Sequence, residues 1–129
     1  MLDDEHRVLL IGECDGAAIG QVRFDRVEPA RWEISATVAP EVRGRGYGRA
    51  LIAAGVAWLW RNDPATRCVD AWIREENTRS IAVFVACGFS PVGLPDSGMA
   101  HLRLRRKIGD ADRDAERAEA VDQRRALSR

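Results

Sequence analysis

The sequence predicts an α/β protein of the α+β kind: a single mixed, mostly antiparallel sheet with helices on its faces, in the order β-β-β-α-β-α-β-β. Three observations carry this reading. Residues 17–25, 31–38 and 67–74 alternate apolar and polar side chains, the period-two pattern of a strand with one buried face. Residues 47–61 break that pattern with a run rich in alanine and leucine, as a helix does. Strands alternate with helices only in the middle of the chain, which makes the sheet mixed rather than all parallel.

Taken in order, residues 7–13 form the first strand, and Asp15-Gly16 follows. Asp-Gly between two strand runs marks a type I′ hairpin, because both central positions need positive φ. The second strand carries Ile19, Val22 and Phe24 among polar partners, and Glu28-Pro29-Ala30 breaks the chain. The third strand, 31–38, sets Trp32, Ile34, Ala36 and Val38 on one face and Glu33, Ser35 and Thr37 on the other, and Pro40 ends it. The helix at 47–61 is apolar nearly all round, so deep burial is expected, and Asn62-Asp63-Pro64 stops it. The next strand opposes Cys68, Asp70 and Trp72 to Val69, Ala71 and Ile73. Asn77 is an N-cap for a helix over 78–87 that turns Ile81, Phe84 and Val85 inward. Gly88 suits a left-handed C-terminal position, with Phe89 as its apolar contact. Residues 89–94 and 99–107 are expected to close the sheet as an antiparallel pair around Pro95-Asp96-Ser97-Gly98.

These elements make residues 1–109 one domain. Residues 110–129 differ: six acids and five arginines, with Val121 and Leu127 the only larger aliphatics, read as a frayed helix or disordered tail. The whole chain of 129 residues balances 20 basic against 20 acidic side chains, which argues against a nucleic-acid partner held by bulk charge. Cys14, Cys68 and Cys87 are too far apart for a CxxC metal or redox motif and are read as reduced, largely buried thiols; no metal is expected. The acidic start, Met-Leu-Asp-Asp-Glu-His, is no signal peptide. The longest apolar run, 50–60, falls short of the roughly 20 residues that cross a bilayer. A cytoplasmic protein without a membrane partner is expected.

The neutral total hides one cationic segment. Residues 43–49 read Arg-Gly-Arg-Gly-Tyr-Gly-Arg, three arginines and three glycines without an acid, between a strand and a helix. Glycines there let backbone N–H groups converge on an anion, the helix N-terminus adds partial positive charge, and the arginines add charge-assisted donors. A pyrophosphate-bearing cofactor fits this chemistry; the plain alternative is a tight turn with solvated arginines. A P-loop is excluded because lysine and a hydroxyl residue are missing. A dinucleotide fingerprint is excluded by the spacing Gly44-Arg45-Gly46-Tyr47-Gly48 and by the hairpin ahead of it.

The segment Val38 to Leu51 resembles the acetyl-CoA-binding segment of the GNAT N-acetyltransferases, whose Q/R-x-x-G-x-G/A signature is met by Arg43, Gly46 and Gly48. A second element, Asn77, Ser80, Phe84, Gly88 and Phe89, resembles that family's Asn-x-x-Ala/Ser-x-x-x-Tyr…Gly-Phe segment. The resemblance covers about residues 7–94 and implies the acyl-CoA N-acyltransferase-like fold and acetyl-CoA as cofactor. It implies that the pyrophosphate meets Arg43, Gly44, Arg45, Gly46, Tyr47, Gly48 and Arg49, and that the pantetheine arm lies along Thr37 and Val38 and near Asn77 and Ser80. The reaction it implies is direct attack of a neutral amine, of a small molecule or a protein, on the thioester.

Such a reaction needs a base for the amine proton and an acid for the departing thiolate. Glu33 on the polar face of its strand is the base candidate, and His101 the weaker one. The family usually has Tyr where this chain has Phe84, which has no proton to give, so either Ser80, a water or another residue protonates the thiolate, or it leaves unassisted. The family also opens with a strand and one or two helices that build much of the acceptor site, and only six residues precede the first strand here. A non-catalytic acyl-CoA-binding or assembly module is therefore the alternative reading. Trp32, Trp58, Trp60 and Trp72 are expected to fill the core, or, where exposed, to mark a homodimer face.

Overall fold

Asp15 and Gly16 both take left-handed backbone, with φ of 52° and 82°, as the hairpin requires. In the computed structural model, which describes residues 6–92 and 101–108, they join β1 (Arg7–Cys14) to β2 (Ala17–Glu28). β3 (Arg31–Val38) follows, then a single 3-10 turn at Pro40–Val42, α1 (Tyr47–Asn62), β4 (Cys68–Arg74), α2 (Thr78–Ala86), β5 (Ser90–Pro91) and β6 (His101–Lys107). The strands lie in the order β1-β2-β3-β4-β6-β5. β3 and β4 run parallel, joined by the α1 crossover, and the other described pairs are antiparallel. The mixed, mostly antiparallel sheet expected from the sequence is the sheet found. The expected pair at 89–94 and 99–107 is present as β5 and β6, with its connecting turn outside the described residues, as is the segment 110–129.

The core lies on one face of the sheet. Val22 and Phe24 of β2, Trp32 and Ile34 of β3 and Val69 of β4 pack against Ile52, Val56 and Leu59 of α1, and all are buried. The helix sits close to the strands: a Cβ on Gly55 would lie 3.2 Å from Val22 Cγ1 and 3.5 Å from Phe24 Cε2. The deep burial expected of α1 holds on the side facing the sheet, while Ala50, Ala53 and Ala54 face solvent. Alanine is the best helix former and exposes little apolar surface, so a solvent-facing row of it is cheap.

Asn77 caps α2 as expected, its Oδ1 accepting from the Ser80 N–H at 3.2 Å. The far end is a Schellman closure. Gly88 has φ of 92°, the Phe89 N–H reaches the Phe84 carbonyl at 3.1 Å, and the Gly88 N–H reaches that of Val85 at 3.0 Å. The Phe84 and Phe89 rings meet edge to face at 5.0 Å, which seals the end of the helix. With Phe84 at the centre of the buried face, Val85 lies about 100° round the axis and is exposed rather than inward.

The opposite face of the sheet is open along Leu9, Ile11 and Trp72, which are 55%, 54% and 42% exposed. Cross-strand register puts Arg7, Asp25, Glu33, Asp70 and Arg105 in one row across it. Asp70 is wholly buried in that row. Its Oδ2 accepts from Arg31 Nη1 at 3.0 Å, Arg103 Nε at 2.9 Å and Arg103 Nη2 at 2.7 Å, and its Oδ1 from Arg105 Nε at 2.6 Å. Burial pushes this carboxyl up, but the hydrogen bonds from Arg105, Arg103 and Arg31 outweigh it, so its pKa stays below the ordinary value.

Candidate functional site

The seam between β3 and β4 opens at one end. The two strands pair from Arg31 with Cys68 to Ile34 with Ala71, and no further, although β3 continues to Val38 and β4 to Arg74. Antiparallel pairing alternates which residues turn their backbone groups toward the partner strand. The Ala39 N–H donates to the Ile19 carbonyl at 2.8 Å, so Thr37 and Ser35 face β2, and Ala36 and Val38 turn theirs toward the gap. Arg43 Nε reaches the Val38 carbonyl there at 3.4 Å.

Two cavities occupy the opening, of about 410 and 390 Å³, and Ala36, Asn77, Ser80 and Phe84 line both. The larger is walled by Val38, Val42, Arg43, Gly44, Gly46, Tyr47, Gly48 and Arg49, with Arg79 and Val83 on its α2 side. Gly46 is the N-cap of α1, at φ 81° and ψ 5°, and no side chain caps the helix. Gly44 and Gly46 both hold left-handed backbone, with open space where a Cβ would stand. The first-turn N–H groups of α1 are thus presented at a cavity rimmed by guanidinium groups, the arrangement that binds phosphate oxygens.

The smaller cavity is polar. Arg23, Asp25, Glu33, Trp72, Arg74 and His101 line it from the open face of the sheet. Glu33 Oε2 accepts from the Trp72 indole N–H at 2.7 Å, an uncharged donor. Asp25 in the same row is already met by Arg7 Nε at 2.7 Å and Arg23 Nε at 3.1 Å. Glu33 and Ser80 thus lie on one cavity wall together, with the two cavities meeting at Ser80.

Of the residues singled out in the sequence, Val38, Arg43, Gly44, Gly46, Tyr47, Gly48, Arg49, Asn77 and Ser80 line the larger cavity. Thr37 and Arg45 line neither cavity. Thr37 pairs with Gln21 of β2, so the neighbours that turn their backbone to the gap are Ala36 and Val38. Ala36, Arg79 and Trp72 are additions that composition does not flag. Ala36 follows from the parity of the strand once one β2 partner is known. Trp72 shares the polar alternation of its strand, and its partner Glu33 appears only in the register of β3 and β4.

The tryptophans divide. Trp32 and Trp60 are buried, whereas Trp72 is at the cleft. Among the described residues, no group of His, Cys, Asp and Glu could hold a metal, and no helix is long and apolar enough to cross a membrane. The three cysteines are free and half-buried. Burial pushes the thiols of Cys68 and Cys87 up, which keeps them protonated and poorly nucleophilic.

Comparison with known proteins gives a consistent picture. The model of the acetyltransferase (GNAT) family matches residues 1–89. A spermidine N-acetyltransferase SpeG chimera from Vibrio cholerae and hSSAT is 18% identical with a TM-score of 0.73, covering 81% of this chain and 69% of its own. Campylobacter jejuni N-acetyltransferase PseH in complex with acetyl coenzyme A is 13% identical with a TM-score of 0.71, covering 82% and 71%. A ribosomal-protein-alanine N-acetyltransferase from Brucella melitensis is 24% identical with a TM-score of 0.66, covering 78% and 68%. These likenesses show a shared fold. No curated protein matches the sequence.

Proposed function

We propose that this chain, which belongs to the acetyltransferase (GNAT) family, is an acetyl-CoA-dependent N-acetyltransferase that passes an acetyl group to a primary amine by direct attack on the thioester. The observation that carries this is the opened seam, which joins a phosphate-type cavity to a polar cavity holding a carboxylate. Acetyl-CoA supplies the activated acyl group when bound. The residues fit it: Arg43, Arg49 and the uncapped N-terminus of α1 suit the pyrophosphate, and the gap-facing backbone of Ala36 and Val38 suits the amides of the pantetheine arm. Glu33, across the junction, accepts the amine proton. The Ser80 hydroxyl is the donor assigned to the departing sulfur, since Phe84 has no proton to give. The acceptor is an amine of a small molecule or a protein, as the names of the structural neighbours suggest by analogy.

A thermal shift tests the cofactor. At a hundred times Kd, a bound ligand stabilises by about 2.7 kcal/mol, so saturating acetyl-CoA should raise the melting temperature by roughly 10 °C in a domain of this size. Gly46→Val should abolish that rise, because valine resists the left-handed backbone the loop requires at φ 81°. No rise in the parent chain overturns the cofactor assignment.

A second reading is kept by one observation. Phe84 is buried and meets Phe89 edge to face, so the usual acid is missing, which favours a non-catalytic acyl-CoA-binding or assembly module. Acetyl-CoA binding with no CoA release across a broad amine panel establishes that reading, and turnover that falls in Glu33→Gln dismisses it.

A further inference from the structure

We propose that the acceptor is a primary amine that also carries an anionic group, a carboxylate or a phosphate, held by Arg23, Arg74 and His101 while the amine meets Glu33. This deepens the acetyl-transfer reading above and rests on it.

The open face of the sheet carries its side chains in cross-strand rows. The row containing Glu33 is mixed in sign, and its other two acids are already engaged. Asp25 is bound by Arg7 and Arg23, and Asp70 by three guanidinium groups. The next two rows flank the opening. One carries Leu9, Arg23 and Ser35 on the near side and Trp72 and Arg103 on the far side; the other carries Ile11, Gln21 and Thr37, then Arg74 and His101. Neither row holds a carboxylate, so charge around the mouth is basic on both sides of the gap.

The cations there have capacity to spare. Arg23 uses only Nε, toward Asp25, which leaves both terminal nitrogens without a partner among the described residues. Arg74 is 69% exposed, and its nearest carboxylate is Glu76 on the following turn at 3.7 Å, a pair too long and too solvated to hold it. An incoming carboxylate or phosphate can replace Glu76 and take a forked contact from the guanidinium. His101 is the cross-strand neighbour of Arg74 and lines the same cavity. Arg103 is committed elsewhere, to Asp70 and over the Trp72 ring at 5.4 Å.

Of the two carboxylates lining this cavity, Asp25 is paired with arginines and Glu33 accepts only from the neutral Trp72 indole, so the cavity offers one uncommitted carboxylate for an ammonium group and two guanidinium groups beyond it. A polyamine would meet a single uncommitted acid and a basic rim. Arg23 stands one two-residue strand repeat, about 7 Å, from the Glu33 row, and Arg74 and His101 stand two, about 14 Å, so an amine with an acidic group within that span meets complementary charge at both ends.

The test is CoA release from matched amines at saturating acetyl-CoA: γ-aminobutyrate against butylamine, phosphoethanolamine against ethanolamine, and spermidine as the polycation. The acidic member of each pair should have a kcat/KM at least about tenfold higher, as one charge-assisted hydrogen bond provides. Whichever acidic amine is faster names the anion. Arg74→Glu should remove that advantage by raising KM for the acidic amine at least about tenfold relative to the neutral one. Equal or faster use of the neutral amines or of spermidine overturns this proposal and leaves acetyl transfer standing. Bound acetyl-CoA with no release from any amine overturns both.

Discussion

Replacing Glu33 with Gln is expected to lower kcat for CoA release by about a hundredfold or more, the usual weight of a positioned general base. The melting shift produced by acetyl-CoA should be unchanged. The substitution keeps the size of the side chain, and the Gln carbonyl oxygen can still accept the Trp72 indole N–H that now reaches Glu33 Oε2 at 2.7 Å. What it removes is the capacity to take up a proton. The two readouts separate because Glu33 lines the polar cavity and not the phosphate-type cavity. A variant that turns over at the parent rate excludes Glu33 as the base and moves the role to His101, which lines the same cavity and, unlike Asp25, is not paired with arginines. His101→Gln then carries the same test.

Asp70→Asn is expected to destabilise the fold by about 3–5 kcal/mol, the range for removing one partner of a buried ion pair. That corresponds to a melting temperature lower by well over 10 °C. The carboxylate is wholly buried and accepts from Arg31, Arg103 and Arg105, which stand on β3 and β6, either side of its own strand. An amide oxygen cannot balance three guanidinium groups, and the amide nitrogen adds a donor where only donors are present. The sign of the pH dependence follows. The folded pKa lies below the ordinary 3.8, so the stabilisation is complete above the unfolded value and is lost as pH falls through the folded one. The parent chain should lose stability steeply below about pH 4, and Asp70→Asn should lose less over that range. Urea titrations from pH 2 to 7 read both slopes. A loss under 1 kcal/mol at neutral pH contradicts the account of the cluster.

The elements that reasoning from sequence recovers are those with local signals. Asp15-Gly16, Asn77 and Gly88 each specify a backbone geometry within a few residues, and the structure has all three. Segment 43–49 is equally legible, because glycine at 44 and 46 and arginine around them encode a left-handed loop at a helix start. What depends on pairing is not legible. Thr37 and Val38 look alike as neighbours at the end of a strand, yet only the partner on β2 decides which turns its backbone to the gap. Asp70 reads as an ordinary polar strand residue until the register sets Arg105 opposite it and Arg31 and Arg103 beside it. Val85 fits an inward spacing with Ile81, but one helix turn cannot choose between two adjacent apolar positions without the sheet beneath it.

The open seam also sets amides of one strand on different clocks. Ser35 and Thr37 donate into β2, so their exchange with solvent waits for the sheet to open. Ala36 and Val38 alternate with them and point into the gap, beyond the last β3 residue paired with β4. Their amide protons need no such opening, and deuterium should enter every second position of a strand that is otherwise fully formed. The exchange pattern of four consecutive residues is thus a fingerprint of the split sheet, read without any ligand. The fast pair should slow when the gap is filled, and the slow pair should not change.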